Sequence, residues 1–213
     1  MKKERLHLYQ LDMKYVRDLA KADDKVMSVS PQQHKENRPF VGIIIVMDQH
    51  KYCIPLTSPK PKHSKMKNDL DFSKILDSDN KIIGALNLNN MIPVSKEVIR
   101  ILDIRPDRRD SPKERAYKEL LNNQLDWCNN NIESITKKAT KLYVLVTQTP
   151  EKSRNLTKRC CDFKKLEAVL ERRLAKAQSN EYEPKEKAVA ASAEIPVRHP
   201  AIIRRRKNTG RSC

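Results

Sequence analysis

The run Thr57-Ser58-Pro59-Lys60-Pro61-Lys62-His63 sets down two hydroxyls, two lysines and a histidine beside two chain-stiffening prolines. It directly follows two apolar stretches, 40–47 and 51–56, that read as a hairpin. Such a cluster can grip a phosphate and move protons without a metal. His34, Lys35 and Arg38, just before the first stretch, add further polar groups to the same neighbourhood. These residues suit one reaction well: attack of an RNA 2′-hydroxyl on its own 3′-phosphate. The substrate supplies the nucleophile, so the protein must orient the attack, help proton transfer and stabilise charge on the phosphorane. Hydroxyl donors and cations can do the last, and such preorganised stabilisation is often the largest catalytic contribution. A lysine among other cations can also have a lowered pKa and join the proton transfers. The plain alternative is a turn, because Ser-Pro and Lys-Pro are common loop dipeptides. His34 and His63 likewise read most simply as surface histidines.

Composition supports a polyanionic partner. The 213 residues hold 44 Lys+Arg against 27 Asp+Glu, a formal charge of +17 that draws polyanions at long range. The length fits one domain with an appendage. Hydrophobic content is only 38%, but the apolar residues cluster, which allows a modest core. Five cysteines (Cys53, Cys128, Cys160, Cys161, Cys213) form no CxxC pair, which argues against a disulfide framework or a zinc site and for a reducing compartment. The first residues lack the apolar core of a signal peptide, and no run approaches the length of a membrane helix, so a cytoplasmic location is expected. HExxH, GxxxxGK[ST] and GxSxG motifs are absent, which leaves no motif for metal-dependent or nucleotide hydrolysis.

The elements that must position the cluster follow from periodicity. A short strand is expected over 5–11, an amphipathic helix over 13–21 and a polar loop over 22–38. The apolar run 40–47 is the buried strand of the hairpin, and Gly42 within it signals a bulge or a close backbone approach. Residues 57–80 read as loop with a helical turn near 70–76. Strands are expected over 82–88, 91–94 and 98–104, then a charged turn. Ser111-Pro112 caps and starts a helix that runs through Leu121 to Cys128, with a break at 129–131. Segment 132–147 is ambiguous, because Leu142-Tyr143-Val144-Leu145-Val146 is locally strand-like in a helical setting. A last helix covers 163–177. Residues 178–213 are poor in large apolar groups and read as a basic, disordered tail, leaving 1–177 as the folded domain.

The runs Phe40-Val41-Gly42-Ile43, Tyr52-Cys53-Ile54-Pro55-Leu56-Thr57-Ser58-Pro59-Lys60 and Lys62-His63 resemble the endoribonuclease toxins of type III toxin–antitoxin systems, the ToxN/AbiQ family. Leu8-Tyr9, Tyr15-Val16, Asp24-Lys25-Val26, Gly84-Ala85-Leu86-Asn87-Leu88 and Met91-Ile92-Pro93-Val94 agree, over about residues 6–175. The resemblance implies an α+β fold: a strongly twisted antiparallel β-sheet core, Kid/MazF-like and akin to an SH3-like barrel, surrounded by α-helices. It implies metal-independent RNA cleavage with no cofactor, leaving 2′,3′-cyclic phosphate and 5′-hydroxyl ends. It further implies inhibition by a repeated pseudoknot antitoxin RNA that the toxin itself processes, closed RNA–protein rings, mRNA as substrate, and a role in abortive phage infection.

The family's catalytic cluster is a Thr/Ser-Ser-x-Lys after the hairpin with a Tyr and a Lys in the preceding loop. Thr57, Ser58 and Lys60 match the first part, whereas His34 and Arg38 stand at the loop positions. Arg38 keeps the charge but is a poor proton donor or base; His34, unlike Tyr, titrates near neutrality. The expected roles are Ser58 on the scissile phosphate and the 2′-oxygen, Thr57 positioning it, and Lys60 handling protons and developing charge. Arg38 would stabilise the phosphate and His34 act as acid or base. Candidate RNA contacts are Lys35, Lys62, His63, Lys65, Lys67, Arg105, Arg108, Arg109 and Lys113. Few aromatics are available for base stacking; Tyr52, Tyr117 and Trp127 read first as core. A noncatalytic basic RNA-binding protein is the competing reading, and a DNA-binding repressor a weaker one, since no helix-turn-helix is evident.

Overall fold

A computed structural model describes residues 5–26, 41–47 and 50–192; the side chains of 41, 46, 47 and 180–192 are outside that description. Two units result, Met1–Arg173 and Leu174–Cys213, and the sheet and all sites discussed belong to the first. His34, Lys35, Arg38 and residues 193–213 lie outside the described residues.

The first unit is an α+β fold on a seven-stranded sheet. Its strands are β1 (Leu8–Leu11), β2 (Val41–Met47), β3 (His50–Thr57), β4 (Phe72–Leu76), β5 (Ile82–Asn87), β6 (Ile92–Val94) and β7 (Ile99–Ile101). All pairings are antiparallel, in the order β4-β5-β3-β2-β1-β7. The central strand β3 lies along β2 on one side, with Ile43 opposite Ile54 and Ile45 opposite Tyr52. On its other side it serves two partners in turn: Lys51–Cys53 pair with β6, and Leu56 and Thr57 pair with β5. Ile43, Ile54, Tyr52 and Cys53 are fully buried, so the expected hairpin forms and its apolar run fills the core.

Gly42 marks the close approach its sequence position suggests. A Cβ there would stand 2.3 Å from the Ile54 carbonyl oxygen and 2.5 Å from Cys53 Sγ. The carbonyl belongs to a paired central strand and cannot step aside. Gly42→Ala should therefore cost about 3 kcal/mol through overpacking, read as a lowered urea midpoint with unchanged m.

Helices α1 (Met13–Ala22), α2 (Pro61–Lys65), α3 (Pro112–Asn130), α4 (Ile132–Thr147), α5 (Arg154–Arg159) and α6 (Phe163–Ser192) complete the fold. Asp12 caps α1 by accepting from the Lys14 N–H at 2.7 Å, and Tyr15, Val16 and Leu19 face the core. In α3, Ser111 Oγ accepts from the Glu114 N–H while Glu114 returns a carboxylate to the Ser111 N–H, the capping box behind Pro112. The ambiguous segment is helical: Ile135, Ala139, Leu142 and Tyr143 are its buried positions, at the spacing of one helix face. No described helix is long and apolar enough to cross a membrane.

The structure corrects the reading of 57–80. Residues 72–76 are a strand, β4, and not a helical turn; Phe72, Ser73 and Ile75 are buried by pairing with β5. The hairpin turn between them is built by Asp77, whose Oδ1 accepts from the Asp79 and Lys81 N–H groups at 3.0 and 2.8 Å. Asn80 takes the left-handed conformation the turn needs, at φ 60. Helix α2 lies where loop was expected, α5 falls in a stretch given no assignment, and α6 runs past Ala177 to Ser192. The strands are also shorter than expected, β1 starting at Leu8 and β7 ending at Ile101. Cys53, Cys128, Cys160 and Cys161 are free and buried, and burial pushes the Cys128, Cys160 and Cys161 thiols up to about 12.

Candidate active site

The last pairs of β3 fix the start of the hydroxyl–lysine cluster. Leu56 lies opposite Leu86 and Thr57 opposite Ala85, and Thr57 Oγ1 donates to the Ala85 carbonyl at 3.4 Å. β5 comes so close here that a Cβ on Gly84 would stand 2.8 Å from the Thr57 carbonyl oxygen and 2.4 Å from Gln124 Nε2. Gln124, buried in α3, donates to the Ile83 carbonyl at 2.7 Å. Helix α3 thus pins β5, and β5 pins Thr57. The cluster leaves a strand end held by its pairing with β5.

Lys60 is then held by α2. Its backbone is extended at the N-cap, with Pro61 at the first helical position. Its carbonyl accepts from the His63 N–H at 2.9 Å, and its N–H donates to His63 Nδ1 at 3.3 Å. An imidazole that accepts at Nδ1 is neutral there and carries its proton on Nε2. Burial, then Lys62, Lys60 and Lys74, hold the His63 pKa below the ordinary histidine value, which agrees with that state. The ring packs on Phe72 with centroids 5.6 Å apart. His63, expected at the surface as an RNA contact, is 2% exposed. Its side chain holds Lys60 in place, the part a Glu or Gln takes in a capping box, and it also stands in the wall of the neighbouring cleft. Its position three residues after the cap, behind a proline, was the available sequence signal.

A cleft of about 630 Å³ opens beside this turn. Thr57, Lys60, Lys62, His63 and Lys67 line it from the expected cluster; Ser58 is exposed next to Thr57 but is not part of the lining. Asn87, Asn89 and Asn90, from the end of β5 and the turn after it, and Asp69, Asp71 and Arg159 complete the walls. None of these was singled out from sequence. Arg159 is about a hundred residues downstream, so no spacing pattern could reveal it.

The remaining expected RNA contacts are dispersed. Lys65 is exposed on α2. Arg105 and Arg109 are engaged by Asp103 and Asp107, with closest contacts of 2.6 and 3.2 Å. Hydrogen bonds from these arginines hold both carboxyls below the usual carboxylate range. Arg108 and Lys113 are exposed nearby. None of these five lines the cleft. Tyr52 is core, while Tyr117 is 43% exposed on α3. A larger groove, about 880 Å³, follows α4 between Lys137, Lys141, Val144 and Lys152. It has no strand-end hydroxyl–lysine pair, which makes the smaller cleft the candidate site.

The fold and cleft can now be set beside known proteins. Residues 7–171 match the family model described as toxin ToxN, type III toxin–antitoxin system. An endoribonuclease ToxN of Bacillus thuringiensis subsp. kurstaki is 33% identical over 168 residues, covering 78% of this chain and 82% of that one. An endoribonuclease ToxN of Pectobacterium atrosepticum is 31% identical over 147 residues, covering 67% and 82%. A solved structure concerned with selective toxin inhibition by a non-coding RNA pseudoknot superposes with a TM-score of 0.64 at 31% identity, covering 84% of this chain and 99% of that one. The structure of AbiQ, a lactococcal anti-phage endoribonuclease, shares the fold at 24% identity, with a TM-score of 0.61 and coverage of 78% and 95%. The chain belongs to the ToxN family of type III toxin–antitoxin endoribonucleases.

Proposed function

We propose that this endoribonuclease cleaves RNA without a metal by in-line attack of the substrate's own 2′-hydroxyl, leaving 2′,3′-cyclic phosphate and 5′-hydroxyl ends. The observation that carries this reading is that Thr57 and Lys60, on either side of exposed Ser58, line a lysine-rich cleft where β3 ends. Ser58 contacts the scissile phosphate and Thr57 positions the strand end. Lys60 moves protons and meets the charge that develops on the phosphorane. Arg38 and His34, which precede β2 in the sequence, complete the cluster as phosphate ligand and acid or base. Lys62 and Lys67 draw the RNA into the cleft, with Lys35, Lys65, Arg105, Arg108, Arg109 and Lys113 extending the basic surface.

In the cell the enzyme is held by a repeated pseudoknot RNA that it processes, in closed RNA–protein rings, and it acts in abortive phage infection. Support comes from relatives: one solved structure concerns toxin inhibition by an RNA pseudoknot, and another, 30% identical, a processed non-coding RNA that regulates a bacterial antiviral system. We assign the catalytic domain to 1–177, which the family match to residue 171 supports. A Kid/MazF-like, barrel-like curvature of the sheet accords with β3 serving β6 and β5 in turn along one edge.

The test is a short RNA carrying a single 2′-deoxy nucleotide at the mapped cut. Cleavage there should vanish while binding is kept. Cleavage that survives the substitution requires an external nucleophile and overturns the mechanism.

A further inference from the structure

Arg159 ends α5 in the wall of the cleft that Lys60 and Lys62 also line. Its backbone is tied to the same region: the Asn89 side-chain amide donates to the Arg159 carbonyl at 3.2 Å, and the Asn89 N–H donates to the Asp71 carbonyl at 3.1 Å. The guanidinium is anchored on one side only. Nε donates to Asp71 Oδ2 at 3.0 Å, and Asp71 is nearly buried. On the other side Asp69 Oδ2 stands 3.6 Å from Nη2, beyond a hydrogen bond, and Asp69 is 64% exposed. Among the described residues no hydrogen bond reaches either Nη group. One edge of the guanidinium is thus locked by a buried carboxylate. The outer, two-nitrogen edge keeps the geometry that matches a phosphate bidentately.

We propose that Arg159 binds a second RNA phosphate, one next to the scissile one, through its Nη edge. Asp71 is the positioning residue that sets the plane of the guanidinium, and Asp69 is a solvent-exposed carboxylate that the arriving phosphate displaces. The assignment rests on the RNA-cleaving reading of the cleft. It makes the two neighbouring carboxylates opposite in effect: Asp71 favours RNA binding, whereas Asp69 competes with it. A purely structural Arg159 would not separate them.

The experiment uses a short single-site RNA in which one linkage at a time is replaced by a neutral methylphosphonate. With the wild-type enzyme, neutralising one linkage beside the cut should lower kcat/KM about 10–100-fold, as for loss of a charge-assisted hydrogen-bonded pair. In Arg159→Ala that same replacement should cost less than about threefold. Arg159→Lys, which still offers a charge to buried Asp71 but no fork, should show an intermediate loss and guards against misfolding of the alanine variant. Asp69→Asn should tighten RNA binding by about threefold or more. Equal losses at every linkage in wild type and both variants, or an Asp69→Asn protein that binds no tighter, would overturn the assignment of Arg159. If the wild type does not cut at all, the reading of the cluster falls, and this inference with it.

Discussion

Lys60→Ala should lower the rate of RNA cleavage by about 10²–10³-fold or more, with the fold intact and RNA affinity little changed. Lys60 contributes to its turn through backbone atoms. Its N–H and carbonyl make the two bonds to His63, and both survive in alanine. The side chain is exposed, so its removal should move stability by no more than about 0.5 kcal/mol. Affinity is spread over many cations in a chain of net charge +17, and the loss of one is a small part of that field. The rate is different. Charge on the phosphorane develops at one place, and a donor aimed there stabilises the transition state more than the bound substrate. Single-turnover cleavage together with RNA titration separates the two quantities. A variant that binds tenfold more weakly yet turns over normally would make Lys60 a phosphate contact without a catalytic part.

The largest loss of stability should come from Glu167→Ala, about 3–5 kcal/mol. Glu167 is 5% exposed in α6 and accepts from Tyr52 Oη at 2.6 Å, Tyr143 Oη at 2.7 Å and Lys164 Nζ at 2.8 Å. The two tyrosines and Phe163 pack ring against ring, and Tyr52 is wholly buried on β3. Removing the carboxylate leaves two buried hydroxyls without their acceptor at the junction of α4, α6 and the sheet. Urea unfolding checks the magnitude.

The pH dependence has a definite sign. Burial works to raise the Glu167 pKa, but hydrogen bonds from Lys164, Tyr52 and Tyr143, with His50 adding charge, prevail and hold it below the ordinary value. A carboxyl whose folded pKa is depressed contributes stability that is present above its unfolded pKa. That stability is lost as pH falls through the folded pKa. Wild-type stability should therefore decline on acidification below the ordinary glutamate range. Glu167→Gln should flatten that part of the curve, and an equally steep decline in the variant would remove Glu167 from the account.

The hairpin, the capped helix α3 and the hydroxyl–lysine cluster were legible in the sequence because each is carried by local pattern. Apolar runs interrupted by Asp48-Gln49-His50, the pair Ser111-Pro112, and Thr57-Ser58-Pro59-Lys60 all lie within a few residues. β4 was missed because its five residues are too few to show a period. Its signal lay in the turn residues Asp77 to Asn80, which mark a hairpin. Segment 132–147 was ambiguous because its β-branched and aromatic residues favour strands locally, while its burial follows a helix face. The far wall of the cleft was invisible for another reason. Asn87, Asn89 and Arg159 meet only because the chain folds back through α5, and no local pattern records that meeting. His63 was expected at the surface because a lone histidine among lysines looks exposed; its ring packs on Phe72 of β4 and is buried.

The purified protein is incubated with an unstructured RNA in excess EDTA, and the ends of the products are identified. Metal-free attack by the 2′-hydroxyl requires cleavage with 2′,3′-cyclic phosphate and 5′-hydroxyl ends, lost in Lys60→Ala. Intact RNA after incubation with inhibitor-free protein, or products bearing 5′-phosphate ends, would contradict it.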